Sequence, residues 1–225
     1  MLLSGTKKPL ICIDRDGTLI YDTSEHQFLG RENNWREQVQ ILPHVVEGLR
    51  LLNTIPGAAI YMITNQPGVA VRDFPLLTEA RAHEVCRYVV ETLQKLGGTL
   101  HGYFLCPHAS PDYVNSRPDL SFHPHLVHDC HCMKPALGMV FDALKKVGMT
   151  PENVDIYVIG DRATDVRTAL NISGTGILIP FVNEPEEQAK VRIDKGEKVH
   201  IAENMQAAAE FVVFRRRDAF SNEGD

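Results

Sequence analysis

The chain contains 225 residues, carries a formal net charge of −6 and is 44% hydrophobic. This length suits a single α/β domain, so we expect one domain over residues 1–225. The acidic charge argues against an extended nucleic-acid-binding surface. The only basic cluster, Phe214–Arg217, is interpreted as the solvated end of the last helix, where cations complement the helix dipole.

Neither a membrane segment nor a secretion signal is predicted. No apolar run approaches the roughly 20 residues that cross a bilayer, and Met1–Pro9 does not lead into the apolar stretch of a signal peptide. Cys12 and Cys86 lie in apolar periodic segments and are predicted to be core thiols. We therefore expect a cytoplasmic monomer with no membrane or nucleic-acid partner.

Short apolar runs alternate with helical patterns along the chain, as in repeated strand–helix–strand units. In chain order, the predicted strands are Leu10–Ile13, Ala58–Ile63, Gly102–Leu105, Asp155–Ile159 and Gly176–Ile179. The predicted helices are Val45–Asn53, Thr78–Leu96, Leu137–Val147, Ala163–Asn171 and Asn204–Arg216. This alternation predicts an α/β fold with a doubly wound parallel sheet. Ligands bind such sheets beyond the carboxyl ends of the strands.

Two polar stretches interrupt this alternation. Residues 22–40 link the first strand to the first helix and contain the only tryptophan, Trp35; we predict a substrate loop. Residues 106–134 are rich in proline, histidine, aspartate and cysteine and show no helical or strand periodicity. Loops this long in a compact domain are usually functional, or they are ordered by something other than a core of their own.

The first strand is followed by the motif Asp14-Arg-Asp16-Gly-Thr18. Carboxylates two residues apart in an extended segment can point the same way. One could then act as a nucleophile while the other transfers protons, with a divalent cation offsetting their repulsion. An ordinary strand followed by an Asp-Gly turn is the alternative interpretation of this motif alone.

Three further motifs follow later in the chain, two of them at the ends of predicted strands. They are Ile63-Thr64-Asn65-Gln66, Lys134-Pro135 and Gly160-Asp161-Arg-Ala-Thr-Asp165. A hydroxyl and an ammonium can hold phosphoryl oxygens, and a further carboxylate can bind Mg²⁺. The four motifs together favour a phosphoryl-transfer site over a set of unrelated turns.

A second cluster of metal-binding side chains lies within residues 106–134. Cys106, His108, Cys130 and Cys132 supply three thiolates and an imidazole, a set suited to a closed tetrahedral Zn²⁺ site. Such an ion would order a segment that has no core of its own. The alternatives are four unrelated residues in a polar loop, or competition from other histidines of the loop, namely His123, His125, His128 and His131.

The four motifs, in this order, resemble those of the haloacid dehalogenase superfamily of phosphatases from Leu10 to about Ile179. The resemblance implies that Asp14 is the nucleophile, which becomes an aspartyl phosphate. Asp16 would be the general acid and later the base. The implied phosphate-binding residues are Thr64, Asn65 and Lys134. The implied Mg²⁺ ligands are Asp14, Asp161 and the backbone carbonyl of Asp16, steadied by Asp165.

The zinc-loop pattern resembles that of the histidinol-phosphate phosphatases and the heptose 1,7-bisphosphate phosphatases, which lack a large cap domain. The sequence of residues 159–165 resembles the histidinol-phosphate phosphatases, and the sequence of residues 63–70 is more similar to the heptose 1,7-bisphosphate phosphatases. Two features depart from both, Met133 in place of the usual arginine and a longer loop. The resemblance implies a Mg²⁺-dependent phosphatase for a small polar phosphate ester. Heptose bisphosphate is favoured, with histidinol phosphate as the alternative.

Two other functions share some of these features. Nucleic-acid 3′-phosphatases have similar motif sequences, but the acidic net charge and the lack of a basic stretch that could bind nucleic acid disfavour this function. An inactive zinc-stabilised interaction module is disfavoured by the complete set of catalytic residue types. For substrate selection we expect Trp35, Arg72 and the zinc loop to contact the leaving group, with Arg72 offering a cation to a distal hydroxyl or second phosphate.

Overall fold

A computed structural model describes residues 7–21, 28–181, 185–193, 196 and 198–221. Residues 22–27 of the predicted substrate loop therefore lie outside the described residues. No helix in the described ranges is long and apolar enough to cross a membrane.

The described strands form one parallel sheet of six strands in the order β3-β2-β1-β4-β5-β6. They are β1 (Lys8–Ile13), β2 (Ala59–Asn65), β3 (Gly102–Cys106), β4 (Val154–Gly160), β5 (Thr175–Leu178) and β6 (Val199–Ile201). The predicted doubly wound sheet is confirmed. Strand β6 was not predicted, because three residues at a partly exposed sheet edge are too few to show a pattern.

The helices are α1 (Trp35–Gln38), α2 (Val45–Asn53), α3 (Glu79–Lys95), α4 (Pro111–Asn115), α5 (Gly138–Val147), α6 (Ala163–Asn171), α7 (Pro185–Ile193) and α8 (Met205–Ser221). All five predicted helices are present. Sequence reasoning missed α1 and α4, which are single turns, and α7, whose sequence is too polar for an apolar stripe to stand out.

Helices cover both faces of the sheet. Helices α2, α3 and α8 pack against one face, where Ile11 and Ile13 of β1 point. Helices α5 and α6 pack against the other face, where Leu10 and Cys12 point. Strands buried on both faces read as continuous apolar runs, which is why β1 was recognisable from its sequence.

The structure corrects the predicted role of Trp35. Its side chain is completely buried, with the ring edge-on to Tyr88 at 5.3 Å between centroids. The guanidinium of Arg36 lies 4.3 Å above its ring. Trp35 therefore anchors its loop in the core and does not contact a substrate, because a tryptophan in a polar segment gains most by packing inward.

The basic cluster near the C-terminus also differs from its predicted role. Arg216 is only 5% exposed, and it pairs with Asp155 and donates to the carbonyl of Lys7. Helix α8 continues to Ser221, so the cluster does not lie at the end of the helix. Arg216 thus ties the last helix to the start of β1 and β4.

Candidate active site

The carboxyl ends of the central strands bring the predicted site residues to one edge of the sheet. Asp14 follows β1, and Asp161 follows the adjacent β4. Gly17 makes their close approach feasible, because its φ is +76° and a Cβ there would lie 2.2 Å from Oδ2 of Asp161. The glycine of the first motif is therefore needed both for the turn and for space.

Lys134 lies at the centre of the site, with its side chain almost fully buried. Its Nζ donates to Oδ1 of Asp14 at 2.5 Å and to Oδ1 of Asp165 at 2.6 Å. Burial alone would lower the pKa of Lys134, but Asp14 and Asp165 raise it above its usual range. Lys134 is therefore an ammonium group at every physiological pH and can hold an anionic phosphoryl oxygen.

Three buried carboxylates surround this one ammonium. Oxygens of Asp14, Asp161 and Asp165 lie within 4.8 Å of one another. Burial raises the pKa of Asp14 to about 6, against the lowering effect of Lys134 and with further raising by Asp165. Burial and the neighbouring acids Asp14 and Asp165 raise the pKa of Asp161 well above its usual value. An excess of negative charge on hard oxygen atoms fits a divalent cation such as Mg²⁺.

Asp165 is held on both of its oxygens. Asp165 lies in the first turn of α6. Its Oδ1 accepts from Lys134, and its Oδ2 accepts from the backbone N–H of Arg162 at 3.1 Å. Gly160 leaves room for it, because a Cβ at that position would lie 2.2 Å from Cγ of Asp165. These contacts are the ones expected if Asp165 orients Lys134 and steadies the carboxylate cluster.

Asp16 is fixed by two residues that sequence reasoning missed. The buried Arg15 donates to both of its oxygens, at 2.9 and 2.8 Å, and Gln66 donates to Oδ2 at 2.8 Å. Gln66 also donates to Oγ1 of Thr64 at 2.8 Å. The side chain of Thr64 is buried and is not among the residues that line the cavity. The signal was available, since Arg15 and Gln66 lie inside the recognised motifs.

Asn65 positions the backbone of Lys134. Its Oδ1 accepts from the Lys134 N–H at 2.9 Å, and its Nδ2 donates to the Lys134 carbonyl at 3.2 Å. Asn65 ends β2 and also lines the cavity. The side chain of Asn65, predicted to bind phosphate, therefore fixes the backbone of the residue that carries the ammonium.

The four predicted zinc ligands converge at the end of β3. Sγ of Cys132 lies 2.9 Å from Sγ of Cys106, 3.4 Å from Sγ of Cys130 and 3.2 Å from Nδ1 of His108. None of these cysteines forms a disulfide. Three thiols and an imidazole facing one another fit a closed Zn²⁺ site. Because Lys134 follows Cys132 by two residues, the cluster also forms a wall of the site.

A cavity of about 350 Å³ opens above Asp14, Asp16 and Lys134. This volume suits a small molecule. Both of the polar stretches singled out in the sequence reach it. Residues from the first are Phe28, Leu29 and Gln38, and residues from the second are His108, Ser110, Tyr113, Arg117 and Met133.

The structure corrects the predicted role of Arg72. Its side chain is exposed and is not among the residues that line the cavity. Residues 67–70 form a 3₁₀ turn, after which the backbone N–H of Arg72 donates to the carbonyl of Ser121 at 2.9 Å. The arginines at the cavity are instead Arg117 and Arg162, and neither was predicted.

Curated relatives align with this chain over most of its length. The histidine biosynthesis bifunctional protein HisB of Buchnera aphidicola (strain Tuc7) is 30% identical over 171 residues, covering 76% of this chain and 40% of that protein. The chain spans about 40% of the length of the HisB relatives that it matches. The D-glycero-beta-D-manno-heptose-1,7-bisphosphate 7-phosphatase of Rhodopseudomonas palustris is 31% identical over 171 residues, covering 75% of this chain and 82% of that protein.

Solved structures share the fold. The D,D-heptose 1,7-bisphosphate phosphatase of B. bronchiseptica, complexed with magnesium and phosphate, superimposes with a TM-score of 0.69 at 22% identity. The match covers 92% of this chain and 99% of that one. The Burkholderia thailandensis enzyme of the same name gives a TM-score of 0.56 at 15% identity, over 92% of this chain and 99% of that one.

A family model described as polynucleotide kinase 3 phosphatase matches residues 9–204. These residues include β1 from its second residue, β2 to β6, the carboxylate cluster and the four-residue Cys/His cluster. The relatives, the solved structures and the four motifs all agree with membership of the wider haloacid dehalogenase superfamily. The chain therefore belongs to the polynucleotide kinase 3 phosphatase family of the haloacid dehalogenase superfamily.

Proposed function

We propose that this protein is a Mg²⁺-dependent phosphatase that hydrolyses a small phosphate monoester through an aspartyl phosphate on Asp14. The observation that carries this proposal is the ammonium of Lys134 placed 2.5 Å from Asp14, inside a buried carboxylate cluster that opens into a cavity. The nucleophile, the phosphate-binding cation and the cation ligands are thus adjacent, as phosphoryl transfer requires.

In the first step, a carboxylate oxygen of Asp14 attacks phosphorus and forms a P–O bond. The ester P–O bond breaks, and Asp16 gives a proton to the departing oxygen, so that an alcohol is released. Asp16 then removes a proton from water, whose oxygen attacks phosphorus. The bond to Asp14 breaks, and inorganic phosphate leaves with the starting carboxylate regenerated.

Lys134 holds the phosphoryl oxygens during both steps, and Asn65 and Asp165 keep Lys134 in place. Thr64, which the sequence predicted as a second phosphate-binding residue, is buried and accepts a hydrogen bond from Gln66 instead. Arg15 and Gln66 hold the side chain of Asp16 at the cavity. Mg²⁺ held by Asp14, Asp161 and the Asp16 carbonyl would neutralise the carboxylates, so that an anionic ester can approach them.

We propose heptose 1,7-bisphosphate as the substrate. The support is the R. palustris relative, which matches over 82% of its own length, and the fold shared with the B. bronchiseptica phosphatase, which was solved with magnesium and phosphate. Histidinol phosphate is the second candidate, supported by the HisB relatives, of which this chain spans only about 40%. The net charge of −6 disfavours the nucleic-acid substrate that the family description names.

We also propose that Cys106, His108, Cys130 and Cys132 hold a structural Zn²⁺ ion, which would order the wall carrying Lys134. Residues 1–225 would form one domain, and the protein would be a cytoplasmic monomer. Size-exclusion chromatography with light scattering and metal analysis of protein purified without chelators check the oligomeric state and the zinc.

A phosphate-release assay over four esters tests the proposed function. The esters are heptose 1,7-bisphosphate, histidinol phosphate, a 3′-phosphorylated oligonucleotide and p-nitrophenyl phosphate, each with and without Mg²⁺. We expect Mg²⁺-dependent release that is fastest with the heptose bisphosphate and is lost in Asp14→Asn. Release from none of the esters, or retained activity in Asp14→Asn, would contradict the proposal.

A further inference from the structure

The long zinc loop contains an ordered insert, residues 109–127. It includes helix α4 and a 3₁₀ turn at Pro124–Leu126. Its distal part pairs antiparallel with the segment after β2, through a bridge between Val71 and Phe122 and a bond from the His123 N–H to the Ala70 carbonyl at 2.8 Å. The insert is therefore attached to the domain by backbone pairing as well as by the Cys/His cluster.

An acidic side chain reinforces this attachment. Oδ2 of Asp73 accepts from both the backbone N–H and the hydroxyl of Ser121, at 2.7 and 2.8 Å. These bonds lower the pKa of Asp73, because they favour its ionised form. With one end held here and the other at the Cys/His cluster, the insert presents α4 and the residues after it to the cavity.

Arg117 of the insert lines the cavity with an incompletely paired guanidinium. The group lies 3.8 Å from the centroid of the Tyr113 ring, and Nη1 donates to Oγ of Ser116 at 2.9 Å. In the part of the chain that the structure describes, no carboxylate lies within ion-pair distance of Arg117. Its planar fork of donors thus has capacity for an anion from the cavity.

The hydroxyl of Tyr113 has no acceptor for its proton among the described residues. Its oxygen is buried and forms no hydrogen bond of good geometry among the described residues, and the guanidinium of Arg117 is the donor that approaches it. Burial raises the pKa of Tyr113, while the charges of Arg117 and Arg162 act to lower it. A buried hydroxyl beside the guanidinium of Arg117, with no acceptor in the described part of the chain, marks a place for an anionic ligand.

We propose that Arg117 and Tyr113 bind a second phosphate group, carried by the leaving group of the substrate. The inference rests on the proposed function and deepens it. Lys134, Asp14 and Asp165 line the cavity and would take the phosphoryl group that is cleaved. Arg117 and Tyr113 line the same cavity, whose volume of about 350 Å³ suits a small molecule that carries two phosphate groups. These two side chains make the site selective for bisphosphates.

The test compares two esters that differ only in the second phosphate, heptose 1,7-bisphosphate and heptose 7-phosphate. In Arg117→Ala, we expect KM for the bisphosphate to rise about 10- to 100-fold, as for loss of a charge-assisted contact, with kcat little changed. KM for the monophosphate should change less than about twofold, because an interaction absent from that ester cannot be lost. Tyr113→Phe keeps the stacked ring and should raise KM for the bisphosphate by a smaller factor.

Arg72→Ala is the matched control, since it removes an exposed arginine outside the cavity and should affect neither ester. Arg117→Lys keeps the positive charge and replaces Arg117→Ala in the test if that variant does not fold. It should retain part of the preference for the bisphosphate over the monophosphate. Equal KM increases with both esters, or none with the bisphosphate, would overturn the proposal. A wild-type protein that hydrolyses monoesters without preferring the bisphosphate would overturn it too and leave the phosphatase function standing. A wild type inactive on every ester would refute both.

Discussion

Replacing the nucleophile should stabilise the protein while it abolishes turnover. In the Mg²⁺-free protein, the raised pKa of Asp14, from 3.8 to about 6, corresponds to a cost of about 3 kcal/mol for the ionised carboxylate at neutral pH. Asp14→Asn removes this charge and keeps an oxygen that can accept from Lys134. We expect the melting temperature at pH 7 to rise by up to roughly 6–12 °C, since each kcal/mol shifts a protein of this size by a few degrees.

The extra stability of Asp14→Asn over wild type should depend on pH, and the raised pKa of Asp14 sets the direction of that dependence. Between about pH 4 and pH 6, Asp14 holds its proton in the folded protein but has released it in the unfolded chain. The folded state then binds more protons, so the stability of the Mg²⁺-free wild type falls as the pH rises through this window. The difference between Asp14→Asn and wild type should therefore be small at pH 4 and complete above about pH 6.

The measurement is thermal or urea unfolding of wild type and Asp14→Asn, dialysed free of Mg²⁺ with zinc retained, from pH 4 to pH 8. Asp142→Asn is the control, because that carboxylate is exposed on α5 and its loss should change stability little. Added Mg²⁺ should stabilise wild type more than Asp14→Asn. A variant that is less stable than wild type at pH 7, or a difference independent of pH, would refute the electrostatic account of the cluster.

Three further substitutions separate the roles of the neighbouring residues. Asp16→Asn should lower kcat by roughly 10²- to 10⁴-fold through lost proton transfer, most for esters with poor leaving groups; equal losses across a leaving-group series would contradict this. Cys132→Ser should abolish zinc co-purification, measured by metal analysis, and lower activity that added Mg²⁺ does not restore; full activity without zinc would refute a structural role. Asn65→Ala should keep the zinc content but lower kcat, because Lys134 loses both backbone anchors; unchanged kinetics would exclude that positioning.

Local pattern in the sequence was sufficient for much of the fold and of the chemistry. Buried central strands are continuous apolar runs, and each amphipathic helix shows its own period, so β1 and α3 could be recognised within a few residues of their bounds. Parallel strands place their carboxyl ends at one sheet edge, which predicted that Asp14 and Asp161 would meet. The Cys/His spacing likewise predicted a cluster that the structure brings together.

Tertiary structure alone decided which polar and aromatic side chains reach the cavity. Trp35 lies in a polar segment but packs in the core, whereas Arg117 lies in a similar segment and lines the site. Arg216 looked like a solvated cation, yet it is buried against Asp155, 61 residues away in the chain. The side chain of Arg72 was excluded from the cavity by pairing of its segment with residues 121–123. Such outcomes depend on contacts between distant segments, and these leave no periodic signal in either segment, because only the folded chain brings the two partners together.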